Sequence, residues 1–475
     1  MRLLGLVYLI AFVSLGVQVK GLIGSRGILP VGELLEWAEQ RAGSARFWLL
    51  PTLLWLRSTD GALLALCWGG ALLALLLILD VAPALVLLLL WTCYLSLASV
   101  GQVFLGYQWD ALLLETGLLA VLIAPLRFSR RAAGDREPAP FGVFLLRFLL
   151  FRLMFSSGAV KLLSGDPSWR SLTALSVHYE TQPIPTWTAW YAHQLPPWFQ
   201  EVSCVLMFVC ELAVPFFALG PRRVRLWAFL PLVGLQGLIA ATGNYAFFNL
   251  LTIALCLLLL DDAVLPDRLR RAAGGVDPAS APSAGQRRRA WPRPVVWSLG
   301  GLYLLLSLGH MGFTFGMEPP RPLLALMRLA SPFSSVNGYG LFAVMTTSRP
   351  EIIIEGSNDG QEWRTYEFRW KPGAVERRPE FVAPHQPRLD WQMWFAALGT
   401  CEGNPWFVRF LERLREGSAP VLDLLGGNPF PLAAPRYVRA VVYDYRFTRS
   451  GSSAWWRRER QGLYCPELGP SPQSP

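Results

Sequence analysis

Nine apolar runs, each close to the length that crosses a bilayer, divide the first 317 residues of this chain. They lie near 3–19, 62–79, 83–106, 109–126, 141–163, 199–219, 224–241, 244–260 and 295–317. A hydrocarbon core ~30 Å thick takes about 17–25 residues of helix. Lipid offers no hydrogen bonds to the backbone, so runs of this kind predict helices that satisfy their own peptide groups. The first run follows Met1-Arg2 as a signal peptide would. However, Gly16-Val17-Gln18-Val19-Lys20 lacks a small-x-small cleavage pattern, so it reads as a retained span.

The water-facing parts follow from where the charge sits. Only 16% of the residues are charged, against roughly 25% for a soluble domain, and the deficit falls in the first 317 residues. The formal net charge of +10 comes from arginines in loops beside apolar runs, which is topogenic charge and not a nucleic-acid-binding face. The loops 127–140, 220–225 and 261–294 hold fourteen arginines, among them Arg130, Arg131, Arg136 and Arg287-Arg288-Arg289. The loops 164–197 and 242–243 hold Arg170 alone. That bias places the N-terminus in the cytoplasm, with the 164–197 loop and the C-terminal end outside it. The loop 20–60 dissents, with five basic residues on the outer side.

Four regions result. Residues 1–260 form a helical membrane domain of eight spans with the outer loop 164–197. Residues 261–294, rich in Arg, Ala, Gly, Pro and Ser, form a flexible cytoplasmic linker. A ninth span occupies 295–317. Residues 318–475 form a non-cytoplasmic, mainly β domain. There, Glu351–Glu355 and Trp363–Trp370 flank Ser357-Asn358-Asp359-Gly360 as a hairpin. A further strand is expected at Tyr437–Phe447, helices are expected at 389–398 and 404–416, and the texture is that of a discoidin-like sandwich.

Charges inside spans are expensive, about 2.5–3.5 kcal/mol at mid-span, so each should face protein and find a partner. The depths allow Arg152 to pair with Glu115 or with Glu211. Asp110, Lys161 and Glu201 fall together near the outer boundary, and Arg147 lies deeper toward the cytoplasm. Such charges either line a cavity for substrate or protons or hold the bundle together as ion pairs; the second reading is favoured. In the outer loop, Trp169, Arg170, His178, Tyr179 and Glu180 serve as interfacial anchors, client contacts or an acid–base pair. The four histidines lack metal-ligand spacing, and no cofactor-binding pattern is present. Five cysteines lie in apolar spans; Cys401 and Cys465 share the outer domain, where a disulfide between them is permitted.

Several ordered blocks closely resemble the lipase maturation factor family over nearly the whole chain. They are Gly27-Ile28-Leu29-Pro30, Gly101–Phe104, Gln108–Gly117, Phe151–Phe155 with Ser157-Gly158, and Leu172–Leu175 with His178–Gln182. Thr242–Tyr245 with Phe247–Asn249, Asn337–Glu355 and Ala383–Phe395 complete the set. The family is similar to endoplasmic-reticulum membrane proteins that help secreted dimeric lipases, such as lipoprotein lipase, reach an active fold. The resemblance implies folding assistance to secreted clients, not catalysis, with no cofactor and no nucleic acid. The chain has no Asn-x-Ser/Thr sequon, which points to a bacterial relative in the inner membrane. An aromatic strip, Trp391, Trp394 and Phe395, is the expected client contact. Two rivals differ in class. A membrane-embedded enzyme, like the vitamin K-dependent carboxylase group in architecture, would use Lys161 and His178 as bases. A transporter would line its path with Glu115 and Glu211.

Overall fold

The computed structural model describes residues 1–128, 138–261, 264 and 291–469. Most of the expected linker 261–294, with its Arg287-Arg288-Arg289 run, and the loop arginines Arg130, Arg131 and Arg136 lie outside the described residues.

All nine apolar runs fold as helices, and among the described residues six helices are long and apolar enough to cross a membrane. In chain order the elements are α1 (Arg2–Gly16), α2 (Asp60–Ile78), α3 (Pro83–Val100), α4 (Gln108–Ile123), α5 (Pro140–Leu163), α6 (Ala174–Thr181), α7 (Trp187–His193), α8 (Pro197–Ala218), α9 (Arg222–Thr242), α10 (Phe248–Leu259) and α11 (Arg293–Thr314). The C-terminal part adds β1 (Pro350–Ser357), β2 (Arg364–Tyr366), α12 (Arg388–Ala397), α13 (Pro405–Arg415), β3 (Tyr437–Phe447) and β4 (Trp456–Leu468). The six long helices are α2, α3, α5, α8, α9 and α11. With 15 residues, α1 reaches only about 22 Å. In α4, Asp110 and Glu115 interrupt the apolar run.

Proline punctuates the bundle. α3, α5 and α8 each start with proline in the first turn, where its missing N–H would have had no partner anyway. Pro215 lies inside α8 and cannot bond to the carbonyl of Glu211, four residues back. The helix widens there into a π-turn at Val209–Ala213. Gly158 lets α5 lie against that turn, because a Cβ there would come within 2.9 Å of the Glu211 Cβ. α5 is the central helix, with 72% of its apolar window buried, against 17% for α9 at the lipid-facing rim.

The sheet is antiparallel in the order β2-β1-β3-β4, with Ile354 opposite Tyr366 in the β1–β2 hairpin. The turn between them is held by Asp359 Oδ1, which accepts the amides of Gln361 (2.8 Å) and Glu362 (2.9 Å). The sandwich expectation is corrected: among the described residues there is one sheet, and helices supply its second layer. One face of β1, through Ile352 and Ile354, lies in the same apolar core as Trp391 of α12 and Phe407 and Phe410 of α13, with α12 against β1 and α13 against β3. The other face, through Ile353, packs with Tyr445, Phe447, Trp456 and, from the outer loop, Trp190. Cys401 and Cys465 are bonded, tying the turn between α12 and α13 to β4.

Candidate functional site

The C-terminal domain is anchored in the helical bundle by buried polar side chains, and these organise the candidate site. α12 begins with Arg388, whose guanidinium meets the Asp110 carboxylate of α4 through two bonds, at 2.8 Å and 3.0 Å. Asp110 also accepts the Tyr94 hydroxyl, and Arg388 donates to the Phe104 carbonyl at 2.6 Å. Just upstream, the Gln386 backbone N–H donates to Ser14 of α1, and its side-chain oxygen accepts the Trp109 indole N–H. Gln18 reaches the Gln386 carbonyl (2.8 Å) and accepts the Arg388 amide (2.9 Å).

A second network lies deeper. Of the two partners available to Arg152, the structure selects Glu115, at 2.9 Å and with both side chains almost fully buried. Glu115 also accepts from the hydroxyls of Tyr303 (2.8 Å) and Tyr339 (2.7 Å) and from the Asn337 side chain (3.0 Å). Arg152 donates in turn to Tyr303, Ser307 and the Asn337 carbonyl. Both Glu115 oxygens and both terminal nitrogens of Arg152 are engaged, which is the arrangement of a structural joint among α4, α5, α11 and the segment ahead of β1.

Glu211 belongs to Lys161 instead, at 2.7 Å, and Lys161 stands 5.4 Å from the Trp169 ring centre. The expected outer cluster of Asp110, Lys161 and Glu201 does not form: the first two take the partners above, and Glu201 is exposed near the start of α8. Arg147 donates to the Leu258 carbonyl at 2.9 Å, at the end of α10.

In the outer loop, His178 and Glu180 do not form an acid–base pair. Two residues apart on α6, they point to different sides. The His178 Nε2 meets the Tyr245 hydroxyl at 3.1 Å, its ring lies 4.9 Å from that of Phe342, and Tyr179 is beside it. Burial, together with the charge of Lys161, pushes its pKa down to about 4. Glu180 turns to the sheet, accepting from Arg446 (3.1 Å) and the Phe447 amide (2.9 Å), with His193 at 3.7 Å. Arg349, ahead of β1, completes the clamp: it donates to the carbonyls of Glu180, Gln182 and Pro183 and to Glu351. Trp169 donates to the Phe342 carbonyl at 3.0 Å, and Arg170 is exposed.

The aromatic strip is largely closed. Trp391 is buried against Tyr107, Trp109 and Tyr245, and Trp394 is buried with its indole N–H on the Thr181 carbonyl. Only Phe395 stays open, 43% exposed. Trp391 and Trp394 are therefore domain-docking residues, because α12 turns its apolar face inward to the bundle. Sequence reading missed Arg349 and Arg388 as anchors; the signal was arginine inside the two long blocks Asn337–Glu355 and Ala383–Phe395. The outer loop is aromatic-rich through Trp187 and Tyr191, as its sequence shows, but sequence reading missed the partners that these two meet in the C-terminal domain. Tyr191 and Trp187 of α7 meet Trp455 and Phe381 of the C-terminal domain, with Tyr191 55% and Phe381 43% exposed. Among the described residues no group of three or more His, Cys, Asp or Glu is placed to hold a metal.

Comparison with known proteins follows the same division of the chain. Residues 1–267 match the model of the lipase maturation factor transmembrane domain, and residues 335–466 match that of the lipase maturation factor C-terminal domain. The chain is 38% identical to lipase maturation factor 2 of Homo sapiens, over 97% of this chain and 81% of that protein. Lipase maturation factor 2 of Xenopus tropicalis is also 38% identical, over 97% and 80%. Lipase maturation factor 1 of Homo sapiens is 34% identical, over 98% and 87%. No solved structure matches.

Proposed function

This chain belongs to the lipase maturation factor family, and we propose that it assists the folding and maturation of secreted proteins, dimeric lipases by resemblance, from its place in the membrane. The protein is a multi-pass membrane protein. In the proposed topology α1, α4 and α10 complete nine crossings, the N-terminus is cytoplasmic, and the outer loop and C-terminal domain face the lumen of the endoplasmic reticulum. In a bacterial host the corresponding space is the periplasm. Two things support this orientation. The arginine bias runs that way, and the outer loop and C-terminal domain are bonded to each other through Glu180 and Arg349, so they share a side.

The observation that carries the reading is the open aromatic group of Trp187, Tyr191, Phe381 and Trp455, to which the outer loop and the C-terminal domain both contribute. Exposed apolar surface built from two rigid elements suits a client whose own apolar surface is not yet buried. Phe395 is a separate candidate contact. Deleting the gene in its native host, and measuring lipase activity per secreted molecule, tests the function. Complementation with wild type should restore active lipase, whereas Tyr191→Ser with Phe381→Ser should yield normal protein levels without it. Unchanged secreted activity in the deletion strain would reject the reading.

A further inference from the structure

A cavity of about 370 Å³ opens where the end of α1 meets the C-terminal domain, walled by Val17, Arg369, Trp370, His385, Asp390 and Asp423 among others. Its volume falls in the range of small-molecule sites. Asp390, in the first turn of α12, is only 3% exposed. Its Oδ1 accepts the backbone amides of Trp370 and Lys371, each at 2.9 Å. Among the described residues, Oδ2 accepts no hydrogen bond from any other residue. The Asp390 backbone N–H also bonds to its own carboxylate and Lys371 lies near enough to act on it, but Oδ2, with two lone pairs, keeps room for a further donor.

The neighbouring charges do not satisfy it. Lys371 is spent on Glu351, at 2.8 Å, and on the Pro372 carbonyl. Arg369 is held by the carbonyls of Leu425 (2.9 Å) and Asp423 (2.6 Å). His385 is neutral, its pKa pushed down to about 4 by burial and by the charges of Arg388 and Arg369. Asp423 adds a second carboxylate at the rim, with no hydrogen bond to its side chain among the described residues. Trp370 supplies an aromatic surface, its ring 6.4 Å from that of His385. Two carboxylates against the single guanidinium of Arg369, whose carbonyl partners leave its charge in place, give the wall a net negative charge; with the aromatic face, the uncharged imidazole and the aliphatic walls this suits a positively charged group that carries carbon substituents.

We propose that this cavity binds an organic ammonium group, with Asp390 as its counter-ion and Trp370 as its aromatic wall. The source is a choline or ethanolamine phospholipid headgroup or a free small amine. Val17 is exposed just past the end of α1; with α1 crossing as in the topology proposed above, on which this point rests, the mouth lies at headgroup level, which favours the lipid. Burial pushes the Asp390 carboxyl upward and its backbone amides draw it down, so binding weakens as acid protonates it.

The test uses the full chain in a maltoside detergent, with unfolding midpoints recorded against choline, ethanolamine and tetramethylammonium at constant ionic strength. A saturable upward shift is expected, with apparent affinity at least about tenfold weaker in Asp390→Asn. Asparagine keeps the oxygen that accepts the two amides. Should that variant fail to fold, Asp423→Asn, at an exposed position, and Val17→Trp, which fills the mouth, replace it. Native mass spectrometry from phosphatidylcholine and phosphatidylglycerol nanodiscs separates the sources. Retained phosphatidylcholine that Val17→Trp loses identifies the lipid; amine binding without retained lipid identifies a free amine. No saturable shift and no retained lipid would overturn the proposal, as would an equal shift with sodium chloride or phosphate, or variants that bind as wild type does.

Discussion

Arg388 of the C-terminal domain and Asp110 of the helical domain form a two-bond ion pair with both side chains almost wholly buried. They lie 278 residues apart in sequence. Removing one partner of such a pair strands the other charge, at a cost of about 3–5 kcal/mol. Arg388→Ala should therefore lower the unfolding midpoint sharply, while Arg388→Met with Asp110→Leu should recover much of the loss. Size-exclusion profiles after graded heating check this; a single variant as stable as wild type would show that the pair does not hold the domains together.

Arg152→Lys should not substitute for arginine. One guanidinium spans Glu115 and the Asn337 carbonyl, and an ammonium lacks that planar fork. The expected loss is about 2–4 kcal/mol, from an unsatisfied carbonyl and a weakened pair. Limited proteolysis near Asn337 should accelerate in the variant. Digestion at the wild-type rate would mean that the segment ahead of β1 is held by other contacts.

The sequence was informative wherever one periodicity decided one element. The β-rich run Tyr437–Phe447 forms β3 over those residues, and α12 and α13 lie within a residue of their expected places. β4 escaped because Arg457-Arg458-Glu459-Arg460-Gln461, exposed throughout on an edge strand, shows no apolar alternation. Trp391 and Trp394 were misplaced because an aromatic strip reads the same whether it faces solvent or a neighbouring domain. The partner of Asp110 was illegible for a related reason: depth arguments rank charges within spans, and Arg388 enters the bundle from a domain outside them.

The Cys401–Cys465 bond closes a loop of 64 residues, for which chain entropy alone gives about 4 kcal/mol. Cys401→Ser with Cys465→Ser should loosen β4 and the α12–α13 turn while leaving the bundle intact. Hydrogen exchange is expected to rise in Trp456–Leu468 and not in α5. A uniform rise across both regions would mean that the bond stabilises the whole molecule.

Gly21 sits where Val19–Ile23 crosses Ala419–Leu422, and a Cβ there would fall 2.2 Å from the Pro420 carbonyl oxygen. Backbone cannot yield as a side-chain tip can, so Gly21→Ala should push the 20–30 segment off the C-terminal domain. The bonds from Ser418 to the Arg26 carbonyl and from Arg413 to the Gly27 carbonyl would break with it. A loss of about 1–3 kcal/mol is expected, the range for overpacking. Wild-type stability in the alanine variant would refute close docking at this point.

His178 should make the protein acid-sensitive. Its folded pKa of about 4 lies below the unfolded value of about 6.5, so its contribution is fully present above about 6.5 and is lost as pH falls toward 4. The cause is burial reinforced by Lys161; Tyr245, which meets Nε2, carries no charge in this range. His178→Asn removes the proton uptake that drives unfolding. The stability gap between wild type and variant should therefore narrow as pH drops from 7 to 4. A gap that stays constant across that window would mean the imidazole takes up its proton at the same pH in the folded and unfolded protein, and the lowered folded pKa would fall.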